Sequence, residues 1–390
     1  MKSLETRFII YAFFSLFFAL SFIVFPQHTY EASVRGMSIW WNIVFPSLLP
    51  FFIIADLLIH VGVVRMIGKF LEPFMRPLFK VPGSGAFVIA LGMASGFPAG
   101  AKLTAHLRKE QILTRTEAER LVSFSNSSNP LFIFGAVAVG FFHNESLGII
   151  LAISHYVGNL FVGFFMRFYQ PKYDDTSTEG PANDGQFFYS ELKPLGELLG
   201  NAVYSSIRTL FMIGGFIMLF SVIHEILSLL HITTAFALLF QLIFSFLPFH
   251  HELSAPFISG LLEVTLGSQK VSELTNVPLF HQLLMISFLL GFNGFSVHAQ
   301  VASILAKTDI RFSPFFFARI VHGLLSSGIC YLIFPFFISL NDTSFTSGLS
   351  QQDTSFFAAL YYWFVQFGGW ITFFVLISFL YVRIKKISPR

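Results

Sequence analysis

ALGMASGFPAGAKL, residues 90–103, starts as a membrane helix would, fills with Gly and Pro, and then sets Lys102 where lipid should lie. As a phosphate loop it fails: Gly96, Gly100 and Lys102 approach G-x-x-x-x-G-K-[ST], but the glycine spacing is one short, Ala101 intervenes and Leu103 replaces the hydroxyl. As a packing ridge it does better, since Gly92, Gly96 and Gly100 recur every fourth residue and let a second helix approach closely. As the tip of a re-entrant hairpin it accounts for the proline too. Pro98 ends the first arm, and the freed backbone groups, with Ser95 and the N-terminus of the next half-helix, line a polar cavity that Lys102 faces. The hairpin is the preferred reading, and the ridge stays open beside it.

The rest of the chain supplies the membrane. Its 390 residues are 54% hydrophobic, with 54 Phe and only 12% charged, so apolar runs long enough to cross a bilayer recur along it. The expectation is an all-α polytopic membrane protein. A formal charge of +3 is too small to argue for nucleic acid as a partner. Cys330 stands alone, which excludes an internal disulfide.

A first retained span covers 8–25; its apolar run is long for a signal peptide, and no A-x-A-like site follows. A second covers 37–61, with Trp40 and Trp41 at one end, where indoles favour the interface. In VVRMIGKFLEPFMRPLFK (63–80), Arg65, Lys69, Glu72, Arg76 and Lys80 share one helical face, which predicts an interfacial helix bent by Pro73 and Pro77. Residues 118–142 are apolar but broken at SFSNSSNP (123–130), and 146–168 form an intact span. The segment 171–194, with YDDTSTEGPANDGQ inside it, is too polar to bury a core and divides the chain. Beyond it lie a span at 203–230, an apolar run at 234–247, a second hairpin around SAPFISGLLEVTLGSQK (254–270), a run over 279–306 broken at GFNGFSVHAQ (291–300), and spans at 314–340 and 356–382.

The halves correspond at an offset of about 168: Gly92 aligns with Gly260, Lys102 with Lys270, Phe124 with Phe292 and Ser128 with Ser296, while ISHYV at 153 matches IVHGL at 320. Both run once through hairpin, broken span and intact span. Residues 61–120 hold nine Lys or Arg and residues 231–277 only Lys270, which puts the first stretch in the cytoplasm and the second outside. With both termini inside, the pattern predicts about eight transmembrane helices plus two re-entrant hairpins in two inverted repeats, the architecture of secondary transporters. The expected organisation is an N-terminal helix and loop (1–35), repeat 1 (36–170), a polar cytoplasmic linker (171–196), an inverted repeat 2 (197–340) and a C-terminal helix (341–390).

The candidate solute-binding residues sit at the breaks. They are Ser95, Gly96, Pro98, Gly100 and Lys102; Ser125, Asn126, Ser127, Ser128 and Asn129; Glu263, Thr265, Ser268, Gln269 and Lys270; and Asn293, Ser296, His298 and Gln300. Unpaired amides and hydroxyls at that depth cost about 2–7 kcal/mol each, so either a solute meets them or they pair within the bundle. Glu263 needs a partner, Lys270 or Arg319, or a protonation role. Asp56, Glu225 and Arg208 read as end-of-helix residues. His250 and His251 have no third ligand at useful spacing, so no metal is expected, and no cofactor. No nucleophile and base stand at catalytic spacing, which argues against an enzyme.

SGFPAGAKL, SNSSNP and GFNGFSVHAQ together resemble the YlbJ (SpoVV) sporulation integral membrane proteins, which carry the nucleoside-recognition, or Gate, domain related to concentrative nucleoside transporters. The resemblance covers roughly residues 36–340. It implies an outer forespore membrane transporter passing dipicolinic acid from mother cell towards forespore, with solute sites at the four breaks. Nucleoside transporters place acidic residues on the sugar, and here the first hairpin has Ser95 where the second has Glu263. Two lysines at equivalent positions, His298 and the positive half-helix ends suit a small dianion, with a nucleoside-type solute or a non-transporting Gate-fold scaffold as alternatives. A coupling ion, H+ or Na+, and a homo-oligomer are compatible with this architecture.

Overall fold

The computed structural model describes residues 2–46, 49–50, 52–54, 57, 73, 75–109, 111–170, 194–246 and 250–345. The expected interfacial helix, the polar linker, the span over 356–382 and Asp56 lie wholly or largely outside these residues. Two units divide the chain, Met1–Leu332 and Ile333–Arg390, and the second is described only to Phe345, as the end of a helix. Every regular element among the described residues is helical.

Helices α1 (Lys2–Val24) and α2 (Pro26–Ile39) belong to two stretches that meet at 102°, because Pro26 has no N–H with which to continue the ladder. A π-helical segment, Trp40–Val44, prolongs α2. The second span thus starts well before residue 37, and Trp40 is no interfacial indole. It is buried and donates to Leu210 O at 2.9 Å, in a space that Gly214 leaves open. Its neighbour Trp41 stays exposed.

Hairpin 1 pairs α3 (Ser84–Ser95) with α4 (Ala99–Lys109). Between them Gly96 takes φ +76°, a conformation open to glycine, and Pro98 removes a donor. The ridge reading holds as well. A Cβ on either Gly92 or Gly100 would overlap the Ser125 carbonyl, so both arms grip the end of α5 (Arg115–Ser125). A capping box between Thr114 and Glu117 starts α5. The chain is irregular over 126–129, resumes as a π-helix, Phe132–Phe141, and continues into α6 (Leu147–Met166).

The second half opens with α7 (Leu195–Leu229) and α8 (Ile232–Phe244). Hairpin 2 pairs α9 (Ser254–Leu262) with α10 (Val264–Ser272), and its broken helix is α11 (Leu279–Phe292) followed by α12 (Gly294–Leu305). Asn293 and Gly294 make that break in left-handed conformations, at φ +75° and +72°. Last described is α13 (Phe312–Phe345). Among the described residues four helices are long and apolar enough to cross a membrane, five if the bent pair counts as one span.

Arg319 on α13 fixes the first break. Fully buried, it donates to the carbonyls of Ser123 and, at 3.1 Å, of Asn126, and to Asn159 Oδ1 at 3.2 Å. From α6, Asn159 donates to Phe124 O at 2.6 Å and Tyr156 to Ser128 O at 3.0 Å, while His155 Nε2 accepts Ser128 N–H at 3.1 Å. The carbonyls that α5 loses where it stops are thereby met by side chains. At the other end of α5, the buried Glu119 carboxylate receives Arg311, Arg115 and Tyr169.

Two predictions follow from this packing. Gly100→Leu should lower the melting temperature in detergent, since overpacking typically costs about 1–3 kcal/mol; Gly215→Leu, where a Cβ meets nothing within 4 Å, should not. Arg319→Met strands Ser123 O and Asn159 Oδ1 at about 1–3 kcal/mol each, so chemical unfolding should show a loss of at least ~2 kcal/mol. The exposed control Lys109→Met should leave the unfolding curve in place.

Candidate functional site

All four breaks reach one small hollow of about 40 Å³. Hairpin 1 contributes Ser95, Gly96 and Phe97, hairpin 2 Glu263, Val264 and Thr265, the first break Asn129, and α12 Ser296 and Gln300. Asn129 ties its break to the hairpin tip. Its Nδ2 donates to Ser95 O at 3.3 Å, while its Oδ1 caps the π-helix through Phe132 N–H at 2.7 Å. Glu263 does the same for hairpin 2, where its carboxylate accepts Leu266 N–H at 2.7 Å and the Thr265 hydroxyl at 3.0 Å. That makes Glu263 the N-cap of α10. Neither expected ion pair, to Lys270 or to Arg319, forms. Gln300 Oε1 is buried in this region without a protein partner.

A second hollow of about 210 Å³ shares Phe52, Ser95, Gly96 and Phe97 with the first and adds Pro98, Lys102, Ser205 and Ser206. Lys102 stays exposed at its edge. The α7 wall, with Ser205, Ser206, Ile213, Phe216 and Ile217, was not among the sequence candidates. The signal was there, as two adjacent serines inside an apolar helix.

The remaining candidates stand elsewhere. Gly100 and Ser125 are packed on each other. Asn126, Ser127 and Ser128 are fully buried in the first break, with side-chain atoms that no protein group meets. Asn293 Nδ2 reaches Asn126 O at 3.4 Å, so the two breaks touch. Ser268 is buried within α10 and Gln269 is half-buried beside it. His298 donates to or accepts from no hollow: its Nδ1 lies 2.8 Å from Gly294 O, and its ring packs among Phe292, Phe312, Phe315 and Phe316.

Lys270 corrects the idea of a lysine pair facing one cavity. Its Nζ turns instead to Ser259 Oγ at 3.1 Å and His224 Nε2 at 3.3 Å. Glu225, read as an end-of-helix residue, pairs with Arg35 near the end of α7. The ligand atoms of His250, His251 and Glu252 lie within 4.8 Å of one another, so a third metal-ligating group does stand beside the two histidines. His250 Nδ1 accepts Glu252 N–H at 3.4 Å.

Positions 167 or 168 residues apart meet. His322 Nε2 lies 2.8 Å from His155 O and Asn293 reaches Asn126 O, each across 167 residues, and Gly158 abuts Ser326 one step along.

Residues 42–145 match the family model described as Gate, nucleoside recognition. The chain is 51% identical over 343 residues to the sporulation integral membrane protein YlbJ of Bacillus subtilis (strain 168), covering 85% of this chain and 84% of that one. A solved structure of a CNTnw variant in its intermediate 1 state shares the fold, with a TM-score of 0.54 at 12% identity over 84% of this chain and 86% of the other. The YlbJ relative is an integral membrane protein of sporulation, and the CNTnw likeness is one of fold. The likeness to YlbJ, over most of both chains, is too high for fold resemblance alone: the protein belongs to the family of the sporulation integral membrane protein YlbJ.

Proposed function

We propose that this integral membrane protein is a transporter of a small anionic solute, dipicolinate, moving it from mother cell towards forespore across the outer forespore membrane. The observation that carries the reading is the convergence of both hairpin tips and both broken helices on one hollow. Such breaks at membrane depth are tolerated where they line a cavity, and transporters place their solutes there. The two halves act as inverted repeats, with both termini and the polar linker cytoplasmic; the contacts between equivalent residues 167 apart support a two-fold relation between them.

Solute enters through the larger hollow. Lys102 offers a carboxylate an ammonium at its edge, and Ser95, Ser205 and Ser206 add hydroxyls. Deeper in, Asn129, Thr265, Ser296 and Gln300 supply neutral polar groups for the ring nitrogen and second carboxylate. Glu263 holds the far tip in shape by capping α10. Residues 90–103 fall short of a nucleotide-binding loop, and a gradient of H+ or Na+ is the driving force this reading calls for. A nucleoside-type solute is the second reading, favoured by the Gate match over residues 42–145. The acidic Glu263 in the wall suits a sugar hydroxyl better than a dianion, while Lys102 favours the dianion.

Purified protein in liposomes should take up labelled dipicolinate, with Lys102→Ala at least about tenfold slower, the loss of roughly 1.4 kcal/mol of binding. Uptake no better than in empty vesicles sinks the dipicolinate reading, and uridine uptake in its place supports the nucleoside one. Orientation has its own check. Cysteines placed at the exposed positions Lys109 and Glu273 should be labelled from opposite sides of intact cells, since native Cys330 is buried; labelling of both from one side overturns the inverted arrangement.

A further inference from the structure

Away from the hollows, hairpin 2 is fastened to α7 by a three-membered polar cluster. Ser259 of α9 and Lys270 of α10 are the two arms of the hairpin, and His224 of α7 is the third member. Ser259 Oγ lies 2.7 Å from His224 Nε2, and Lys270 Nζ lies 3.1 Å from that hydroxyl and 3.3 Å from the same ring nitrogen. Ser259 also donates to Ala255 O at 3.2 Å, the ordinary back-bond of a helical serine. The one Ser259 hydrogen is then spent on Ala255 O, its oxygen accepts from the Lys270 ammonium, and that ammonium stands 3.3 Å from the imidazole. An ammonium is tolerated beside a neutral imidazole at that distance and repelled by an imidazolium.

The surrounding charges do not cancel this dependence. Arg35 on α2 and Glu225 on α7 bind each other, with His28 at 3.7 Å from the same carboxylate. Glu273 follows α10 by one residue and acts on Lys270 only through space. Of the elements packed on the hairpin, α8 and the π-helix carry no titratable side chain. On α11 the one such group, His281, faces His250, and on α12 His298 is turned to Gly294. Among the described residues, Lys270 meets no carboxylate within hydrogen-bonding distance; its partners are the hydroxyl and the imidazole. Lys270 is half-buried, in the last turn of α10 at the open end of the hairpin.

We propose that His224, held between Ser259 and Lys270, is a proton-binding site that releases hairpin 2 from α7 when it is occupied. The bound proton turns the imidazole into an imidazolium and sets its positive charge against the Lys270 ammonium 3.3 Å away. The contact is thus made at high pH and lost as pH falls. This rests on the transport reading and names H+ as its coupling ion, since the arm that moves carries Thr265 and Glu263 in the solute hollow.

The test has one arm that needs no solute. Spin labels on cysteines at the exposed positions Leu230 and Glu273, in a Cys330→Ala background, report the α7 to hairpin distance in the reconstituted full chain. The distance distribution should lengthen between pH 8 and pH 5.5, and stay fixed in H224Q, whose amide still accepts from Lys270 but takes up no proton. An unchanged distribution in the parent, or the same shift in H224Q, overturns the proposal, and a size-exclusion profile confirms that H224Q is folded. The second arm reads the ratio of dipicolinate uptake with and without a one-unit pH gradient at clamped voltage. That ratio should approach about tenfold for one coupled proton and fall to one in H224Q; a stimulated H224Q overturns the coupling. Absent uptake with an intact pH-dependent distance removes the transport reading and leaves the proton site standing.

Discussion

A helix interrupted inside a membrane must find donors for the carbonyls it abandons, and here one buried guanidinium does most of that. Arg319 reaches Ser123 O, Asn126 O and Asn159 Oδ1 from a helix almost two hundred residues away in the chain. It has no carboxylate among these partners. A planar fork of donors suits several carbonyls at different angles, which an ammonium on a flexible stem does not. The cost of burying the charge is spread over these acceptors and the Phe315 ring, 5.7 Å from the guanidinium carbon. Because the break is fixed, Asn129 can hold the tip of hairpin 1, and the tip can close one wall of the hollow.

The breaks were legible because they rest on backbone chemistry. Gly96 before Pro98, the Ser and Asn run before Pro130, and the Asn293–Gly294 pair each announce a place where the helical ladder stops. What the sequence hid was direction. Lys102 and Lys270 occupy equivalent positions, yet one edges a hollow and the other turns to Ser259. Periodicity reports which residues share a helix face and says nothing of what the neighbouring helix presents there. The same limit hid α7, whose Ser205 and Ser206 reach the second hollow from the other side. The two hairpin tips also turn by different means. Gly96 and Pro98 shape the first, while the second relies on a carboxylate that reads from sequence like a charge in search of an ion pair.

Hairpin 1 and the α12–α13 region share one apolar core, with Val88, Ala101 and Phe124 alongside Val297, Val301 and Phe315. Hairpin 2 packs its own break differently. A Cβ on Gly294 would stand 3.0 Å from both Gly260 O and Val264 N. The tip of the second hairpin therefore rests on the backbone of its broken helix. Such backbone contact leaves little slack between the hairpin and its broken helix.

His155 and His322 stack at 4.6 Å, and Asn126 meets Asn293. On the proposed two-fold relation, the two halves cannot stay alike where they touch. The position that corresponds to Arg319 at the same offset is Ala152, also buried. A guanidinium there as well would set two like charges against each other at a place with acceptors for one. On that proposed relation, difference between the halves is forced at the seam, and the hollow is lopsided as well, with Ser95 on one side and Glu263 on the other.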